Sequence, residues 1–187
     1  MAKASKLPVQ PVVVRTRRAY FDCRFGQLHV RTAFPTTGGF DEQVTLICLH
    51  NQAASSRMFS RFLPELADVR SVYAPDLPGC GESDPSPTSS IAEAATAISD
   101  LANDLRLRQI DVLGVQYGAE VALALASTRP ELVRRLVLVG PANGNLTATV
   151  AQQRLVLDVA AYGNDPFAAA PQSLAKQITP FLCNRVS

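Results

Sequence analysis

The feature that most constrains the fold is the segment VLGVQYGAE at positions 112–120. It runs from apolar residues through Gly114 and Gly118 into a helix-favouring sequence, which is typical of a strand, a sharp turn and a helix. Glycines at these two positions let the strand and the helix approach each other without a Cβ clash. In the corresponding G-x-S-x-G arrangement, the central residue is a nucleophile on a strained turn. Here that residue is Gln116, an amide that cannot be deprotonated near neutral pH and has no useful nucleophilicity.

The chain around this segment alternates apolar runs with helical patterns. Residues 44–49 and 136–139 are nearly continuous apolar runs, typical of strands buried on both faces of a parallel sheet. Residues 91–105 predict a helix, with Ser90 as its N-cap and Glu93 at its third position. The alternation predicts an α/β fold in which a mostly parallel sheet has helices on both faces.

Shorter elements complete the predicted core. Residues 19–24 and 27–34 are two extended segments joined at a glycine, and they predict a hairpin. Residues 58–66 have helical spacing and predict one helix, which Pro64 kinks or shortens. Residues 71–75 predict a further strand.

The pattern changes after the strand that ends at Val139. Residues 146–162 are helix-like, residues 173–178 predict another short helix, and no buried strand is predicted after Val139. The sheet is therefore expected to be incomplete on its C-terminal side, leaving an exposed edge. The predicted organisation is an N-terminal arm (1–18), an α/β core (19–142) and a helical, cap-like segment (143–187).

Composition excludes several classes of function. The 187 residues, 47% hydrophobic and 18% charged, predict one globular core, and a net charge of +2 gives no argument for nucleic acid or an anionic membrane as a partner. The four cysteines have no C-x-x-C spacing, so no metal site is predicted and the default setting is reducing and cytoplasmic. The sequence lacks an apolar run of membrane-spanning length and a phosphate-binding loop, so neither a membrane nor a nucleotide cofactor is expected.

The order of these pieces resembles the α/β-hydrolase family over residues 19–142. Four signals coincide in order and spacing: the hairpin around FGQLHVR (25–31), the turn LHNQ (49–52), the loop DLPGCGESD (76–84) and the segment around Gln116. The resemblance implies an oxyanion hole formed by the backbone N–H groups of Gln52 and Tyr117. It also implies a hollow between these two turns, with a small apolar molecule as the candidate ligand.

The chain departs from the family pattern at the residues that carry the chemistry. Gln116 stands at the nucleophile position, and the later strands that bring the family's acid and histidine have no predicted counterpart. The two histidines, His29 and His50, both precede the turn at Gln116, which corresponds to the family's nucleophile elbow. We expect His50, in the oxyanion turn, to hydrogen-bond to backbone rather than act as a general base, and His29 to be an ordinary strand residue.

Three functions remain open at this point. The favoured one is a hydrolase-fold protein without conventional serine-hydrolase activity, which uses the inherited hollow for binding. The second is an unconventional hydrolase or lyase acting on a small ester, lactone or epoxide, with His50, Asp76 or Glu82 as acid or base, or Cys80 as nucleophile. The third is an interaction subunit that self-associates through the exposed sheet edge.

Overall fold

A computed structural model describes residues 14–36, 43–52, 54–140, 153–157 and 166–183. These residues form one seven-stranded sheet with strand order β1-β2-β4-β3-β5-β6-β7. The strands are β1 (Arg17–Cys23), β2 (Gly26–Ala33), β3 (Leu46–Leu49), β4 (Val72–Pro75), β5 (Ile110–Val115), β6 (Val133–Val139) and β7 (Gln153–Leu157). The helices are a 3-10 turn (Ser56–Phe59), α1 (Leu63–Leu66), α2 (Ile91–Asp104), α3 (Tyr117–Thr128), α4 (Pro166–Ala169) and α5 (Pro171–Cys183).

The strand pairing confirms a mostly parallel sheet, in which only the first two strands run antiparallel to their neighbours. β1 and β2 form the predicted hairpin, and β2 runs antiparallel to β4. From β4 onward every pair is parallel. The carboxyl ends of β3, β4, β5 and β6 therefore meet at one edge of the sheet.

Two apolar clusters cover the two faces of this sheet. Successive residues of a strand point to opposite faces. Along β5, Ile110 and Val112 accordingly contact the cluster under α2 and α3, while Leu113 and Val115 contact the cluster under α1 and α5. The prediction of helices on both faces is confirmed, and the central strand is buried along its whole length.

The prediction of a single helix over residues 58–66 is wrong, because the segment is divided into two elements. The segment forms a 3-10 turn capped by the Ser55 side chain and then a separate one-turn helix, α1. Pro64 lies in the first turn of α1, where a missing backbone N–H leaves no helical bond unmade. The proline therefore starts a new helix after Phe62 instead of kinking a longer one.

The prediction that no strand follows Val139 is also wrong. β7 lies parallel to β6, with Arg135 opposite Gln153 and Val139 opposite Leu157. The sequence of β7 is compatible with either conformation, and pairing with β6 decides between them. Residues 146–152, 158–162 and the first three positions of the turn predicted at 163–166 lie outside the described residues, and Pro166 begins α4. The predicted helix at 173–178 is longer than expected, spanning Pro171–Cys183.

A buried charged cluster ties α5 to the sheet. Asp111, fully buried on β5, accepts hydrogen bonds from Arg134 Nε at 2.8 Å and from Arg70 Nη1 at 3.2 Å. Arg134 Nη2 also donates to the Leu182 carbonyl at 2.9 Å, near the end of α5. Cations are favourable at a helix C-terminus, so the cluster fixes the last turn of α5 to β5 and β6.

No helix in the described ranges has both the length and the apolar character needed to cross a lipid bilayer.

Candidate active site

Three turns meet where the parallel strands end. β3 continues into His50-Asn51-Gln52, β4 into the loop beginning at Asp76, and β5 into the turn at Gln116. Leu49 and Gly114 are register partners in neighbouring strands, so the first and third turns lie side by side. Ligands of open parallel sheets bind at this edge, which makes it the candidate active site.

Gln116 has the backbone geometry of a nucleophile elbow. Its φ is 47° and its ψ is −108°, a conformation that non-glycine residues rarely adopt. The surrounding structure holds it there: its N–H donates to the Val139 carbonyl at 2.9 Å, and its carbonyl accepts from Ala119 N–H at 2.9 Å. The side chain makes no capping hydrogen bond to α3 and is partly exposed, so the amide is available to a ligand at the tip of the turn.

The two flanking glycines are required by close backbone contacts. A Cβ at Gly114 would lie 2.6 Å from the Cα of Ala119 in the following helix. A Cβ at Gly118 would lie 2.7 Å from the His50 carbonyl oxygen and closer still to that of Leu49. α3 therefore packs directly on the turn after β3, and the backbone N–H groups of Gln52 and Tyr117 belong to neighbouring turns. Tyr117 is the first residue of α3, and the first N–H groups of a helix have no partner within it.

His50 has a structural role in its turn. Its side chain is fully buried, with Nδ1 2.7 Å from the Asn51 carbonyl oxygen and Nε2 accepting from the Leu77 N–H at 2.9 Å. These partners require a neutral ring protonated at Nδ1. Burial lowers the pKa of His50, and the hydrogen bond to Asn51 opposes this only in part, so neither nitrogen is available to accept a proton from a substrate.

Asp76 organises the loop beside this turn. Its Oδ1 accepts from Ser56 N–H at 2.6 Å, and its Oδ2 accepts from Glu82 N–H at 3.0 Å and contacts His29 Nδ1 at 2.9 Å. Burial alone would raise the pKa of Asp76, but these hydrogen bonds outweigh it and lower the pKa. The carboxylate is therefore ionised and occupied by donors, and the same loop needs Gly81, since a Cβ there would overlap the Asp76 carboxylate.

Cys80 lies beside the turn that contains Gln52, but its thiol is not activated. Its Sγ is 3.6 Å from the Gln52 carbonyl oxygen, and it packs against the same apolar cluster as Tyr117. Burial, with a smaller contribution from Asp76, raises the pKa of the Cys80 thiol. Since the thiolate is the nucleophilic form, this environment disfavours nucleophilic attack by Cys80.

The structure separates the sequence-derived candidates into two groups. Gln116, Tyr117, Gln52, Cys80 and His50 surround the edge where β3 and β5 end. His29 and Glu82 lie instead beside Tyr20 of the edge strand.

Sequence reasoning missed the network that joins Asp76 to His29 and Ser56. Its members are 47 and 20 residues from Asp76 along the chain. No local pattern marks such a network, because only the tertiary fold brings these side chains together.

Comparisons with known proteins agree with this architecture. A family model described as "alpha/beta hydrolase fold" matches residues 44–180. The chain is 34% identical over 117 residues to 2-hydroxymuconate semialdehyde hydrolase of Pseudomonas sp. (strain CF600), covering 54% of this chain and 40% of that protein. It is 34% identical over 133 residues to 2-hydroxy-6-oxononadienedioate/2-hydroxy-6-oxononatrienedioate hydrolase 2 of Pseudomonas putida, covering 68% of this chain and 46% of that protein.

Among solved structures, Cfl2 from Burkholderia cenocepacia superposes with a TM-score of 0.64 at 25% identity, over 76% of this chain and 47% of that one. The chain thus spans less than half the length of these relatives.

Proposed function

Because the chain belongs to the α/β-hydrolase fold family, we propose that it keeps the family's ligand-binding hollow without the family's serine-type chemistry. The hollow would bind a small, mostly apolar molecule through one polar oxygen, which accepts hydrogen bonds from the backbone N–H groups of Gln52 and Tyr117. The observation that carries this proposal is Gln116, which stands in the strained elbow conformation with an amide in place of a nucleophile.

The chemistry of the neighbouring groups supports binding over covalent catalysis. An attacking side chain needs an ionisable or activated group, and the Gln116 amide has neither. Both nitrogens of His50 are engaged with backbone, and the environment of Cys80 keeps its thiol protonated. Backbone donors, in contrast, survive the replacement of side chains.

The strain retained at Gln116 favours a second candidate function. Residues held in rarely populated backbone conformations cluster at functional sites, and a positioned amide can orient a water molecule for attack, as glutamine does in GTPases. In that case the protein would hydrolyse a small ester, lactone or epoxide without forming a covalent intermediate on Gln116.

A side-by-side screen separates these functions. The wild type, Gln116→Ala and Gln116→Ser are each incubated with a panel of short-chain esters, lactones and epoxides, with product release and the intact mass of the protein followed together. Under the binding proposal the wild type releases no product above the Gln116→Ala background and gains no mass. Saturable shifts of the Gln52 and Tyr117 backbone amide NMR signals on adding a panel member would identify the bound class.

Two outcomes contradict the binding proposal. Product release that Gln116→Ala abolishes, without a mass adduct, transfers support to the water-orienting function. A covalent adduct on residue 116 of the wild type would exclude both functions. The Gln116→Ser variant is the matched control, because it restores a hydroxyl at the elbow while leaving the two glycines and both backbone donors in place.

A further inference from the structure

A second group of polar residues lies on the entry hairpin, away from the elbow. In the β1–β2 register, Arg18 is opposite Arg31 and Tyr20 is opposite His29. Directly opposite residues of an antiparallel pair share a face, as do residues two apart on one strand. These four side chains therefore belong to one face of the hairpin, where Arg18, Tyr20, His29 and Glu82 line a hollow of about 410 Å³.

Two buried polar groups on this face have no hydrogen-bond partner. His29 is 1% exposed, and its Nε2 is unpartnered although its Nδ1 contacts Asp76. Two residues further along β2, the Nε of Arg31 is also buried and unpartnered. A buried polar atom without a partner is unfavourable, so a hydrogen-bonding group that met both atoms would remove two such penalties.

The charges on this face point to the kind of group that fits. Arg18 and Arg31 are like charges directly across two strands, an arrangement that destabilises a sheet unless a counter-charge lies between them. Within the described part of the chain, neither arginine forms an ion pair, whereas Arg24 of the same hairpin is paired with Asp100. An anion would add a counter-charge between the two arginines to that of the Glu82 carboxylate, which lines the same hollow.

We propose that this hollow is a second ligand site, which binds a small oxyanion, the carboxylate or phosphate group of a metabolite, between Arg18 and Nε2 of His29, with Arg31 beside them on the same face. Guanidinium groups match the geometry of both oxyanions and bind them with charge-assisted hydrogen bonds. The site is independent of the function proposed for the elbow.

Tyr20 and Glu82 control access to this site. The Tyr20 ring covers His29, with ring centroids 5.3 Å apart, and its hydroxyl donates to Glu82 Oε2 at 2.9 Å. Tyr20 is 52% exposed on an edge strand, so its ring can rotate outward without disturbing the core. Arg57, 3.9 Å from Glu82, offsets the charge of the Glu82 carboxylate at the rim.

An oxyanion supplies the missing hydrogen-bond partner of His29. Asp76 is ionised and accepts from Nδ1, so Nδ1 carries a proton. A deprotonated oxyanion oxygen is an acceptor, so Nε2 meets it as an N–H donor, whereas the O–H of a hydrogen phosphate donates to Nε2. The charged and titratable groups around His29 are Asp76, Glu82, Arg18, Arg31, Arg57 and Tyr20.

Imidazole NMR provides a direct test, since the chain has two histidines. Inorganic phosphate and sodium acetate are titrated separately at pH 7, with sodium chloride holding the ionic strength constant. We expect a saturable change of the His29 Nε2 nitrogen shift as this atom gains a hydrogen-bond partner. His50 is the internal reference, because both of its nitrogens are engaged with backbone groups. A response to phosphate alone identifies a phosphate site, and a response to acetate alone identifies a carboxylate site.

Matched variants complete the test. Arg31→Gln and Arg18→Gln should each weaken binding at least tenfold, and Arg18 is exposed, so its replacement leaves the core intact if Arg31→Gln does not fold. Arg24→Gln removes a paired arginine at the turn of the same hairpin and should leave the affinity unchanged. The proposal is overturned if neither anion moves the His29 signal, if His50 moves equally, or if Arg18→Gln and Arg24→Gln weaken binding to the same extent.

Discussion

At the residue scale, Gln116 has a backbone conformation that its own side chain disfavours. The φ of 47° is imposed by neighbours: a strand that ends at Val115, a helix that begins at Tyr117, and a hydrogen bond to Val139. Strain of this kind costs about 1–3 kcal/mol at a non-glycine residue. The elbow thus retains the strained backbone conformation of a nucleophile turn, although Gln116 lacks a nucleophilic group.

The strain at Gln116 can be measured by removing its Cβ. Gln116→Gly should raise the free energy of unfolding by about 1 kcal/mol, because glycine adopts positive φ without a steric cost and this gain exceeds its extra unfolded-state entropy. Urea denaturation provides the measurement. Gln116→Ala keeps the Cβ and should show no such gain; equal stabilities of the two variants would contradict the strain.

Gly118 shows the opposite sensitivity. Gly118→Ala should lower the free energy of unfolding by about 3 kcal/mol, since its methyl group meets the carbonyl oxygens of Leu49 and His50, which are backbone atoms and cannot rotate away. The matched control is Ser127→Ala, at an exposed position of the same helix, with an expected change within about 0.5 kcal/mol. Similar denaturation midpoints for the two variants would rule out the close contact.

At the element scale, the buried carboxylate of Asp111 links the amino-terminal ends of β5 and β6 to the carboxyl-terminal end of α5. Asp111→Ala leaves the buried Arg70 without its anionic partner and should destabilise the protein by about 3–5 kcal/mol. The double variant Asp111→Ala with Arg70→Met should recover part of this loss, because it removes the uncompensated charge. Thermal unfolding of the two variants tests this, and a double variant less stable than the single one would contradict a charge-based cause.

The elements differ in how far the sequence predicts them. α2 and its Ser90 cap are encoded locally, since Ser90 Oγ accepts from Glu93 N–H three residues away at 3.3 Å, and the elbow follows from the spacing of Gly114 and Gly118. β7 could not be predicted, because its short sequence gains a strand conformation only by pairing with β6.

Side-chain networks are harder still to predict. Arg135 precedes an apolar run, and no local pattern indicates that its side chain is only 1% exposed. Similarly, the position of Asp76 after a strand predicts hydrogen bonds to loop N–H groups, such as that from Glu82, but not its contact with His29. These interactions depend on the positions of distant segments, which local patterns do not contain.

At the scale of the whole molecule, ionised carboxylates make stability depend on pH. Hydrogen bonds lower the pKa of Asp76 by more than its burial raises it, and the Arg24 side chain lowers the pKa of Asp100. A carboxyl whose folded pKa is lowered contributes stability that is complete above its unfolded pKa, near 4, and is lost as the pH falls through the folded value. We therefore expect a plateau of the unfolding free energy above about pH 5 and a decline below about pH 4.

Asp76→Asn isolates the contribution of one carboxylate to this decline. The variant should be less stable than the wild type by about 2–4 kcal/mol at pH 7. The difference should narrow below pH 4, where the wild type loses the same charge. Glu131→Gln, at an exposed position, is the control. A wild-type advantage that stays constant from pH 7 to pH 2 would contradict the assignment.

Self-association is a further property of the whole molecule, and we propose that it occurs through β7. Within the described part of the chain, β7 is an edge strand that pairs only with β6, and Val156 on it is 47% exposed. Edge strands template pairing with a second chain, and an added lysine blocks it. Sedimentation velocity at increasing concentration should show a dimer that Val156→Lys abolishes and the charge-conserving Arg154→Lys retains. A concentrated wild type that sediments as a monomer would contradict this.

The backbone of residue 116 is held by its two neighbouring glycines and by main-chain hydrogen bonds, none of which involves its side chain. Side-chain identity and loop architecture are therefore uncoupled at this one position, so a wide range of groups can be installed there. Replacing Gln116 with cysteine would add an attachment point for a thiol-reactive reporter or a synthetic catalyst at the tip of this turn.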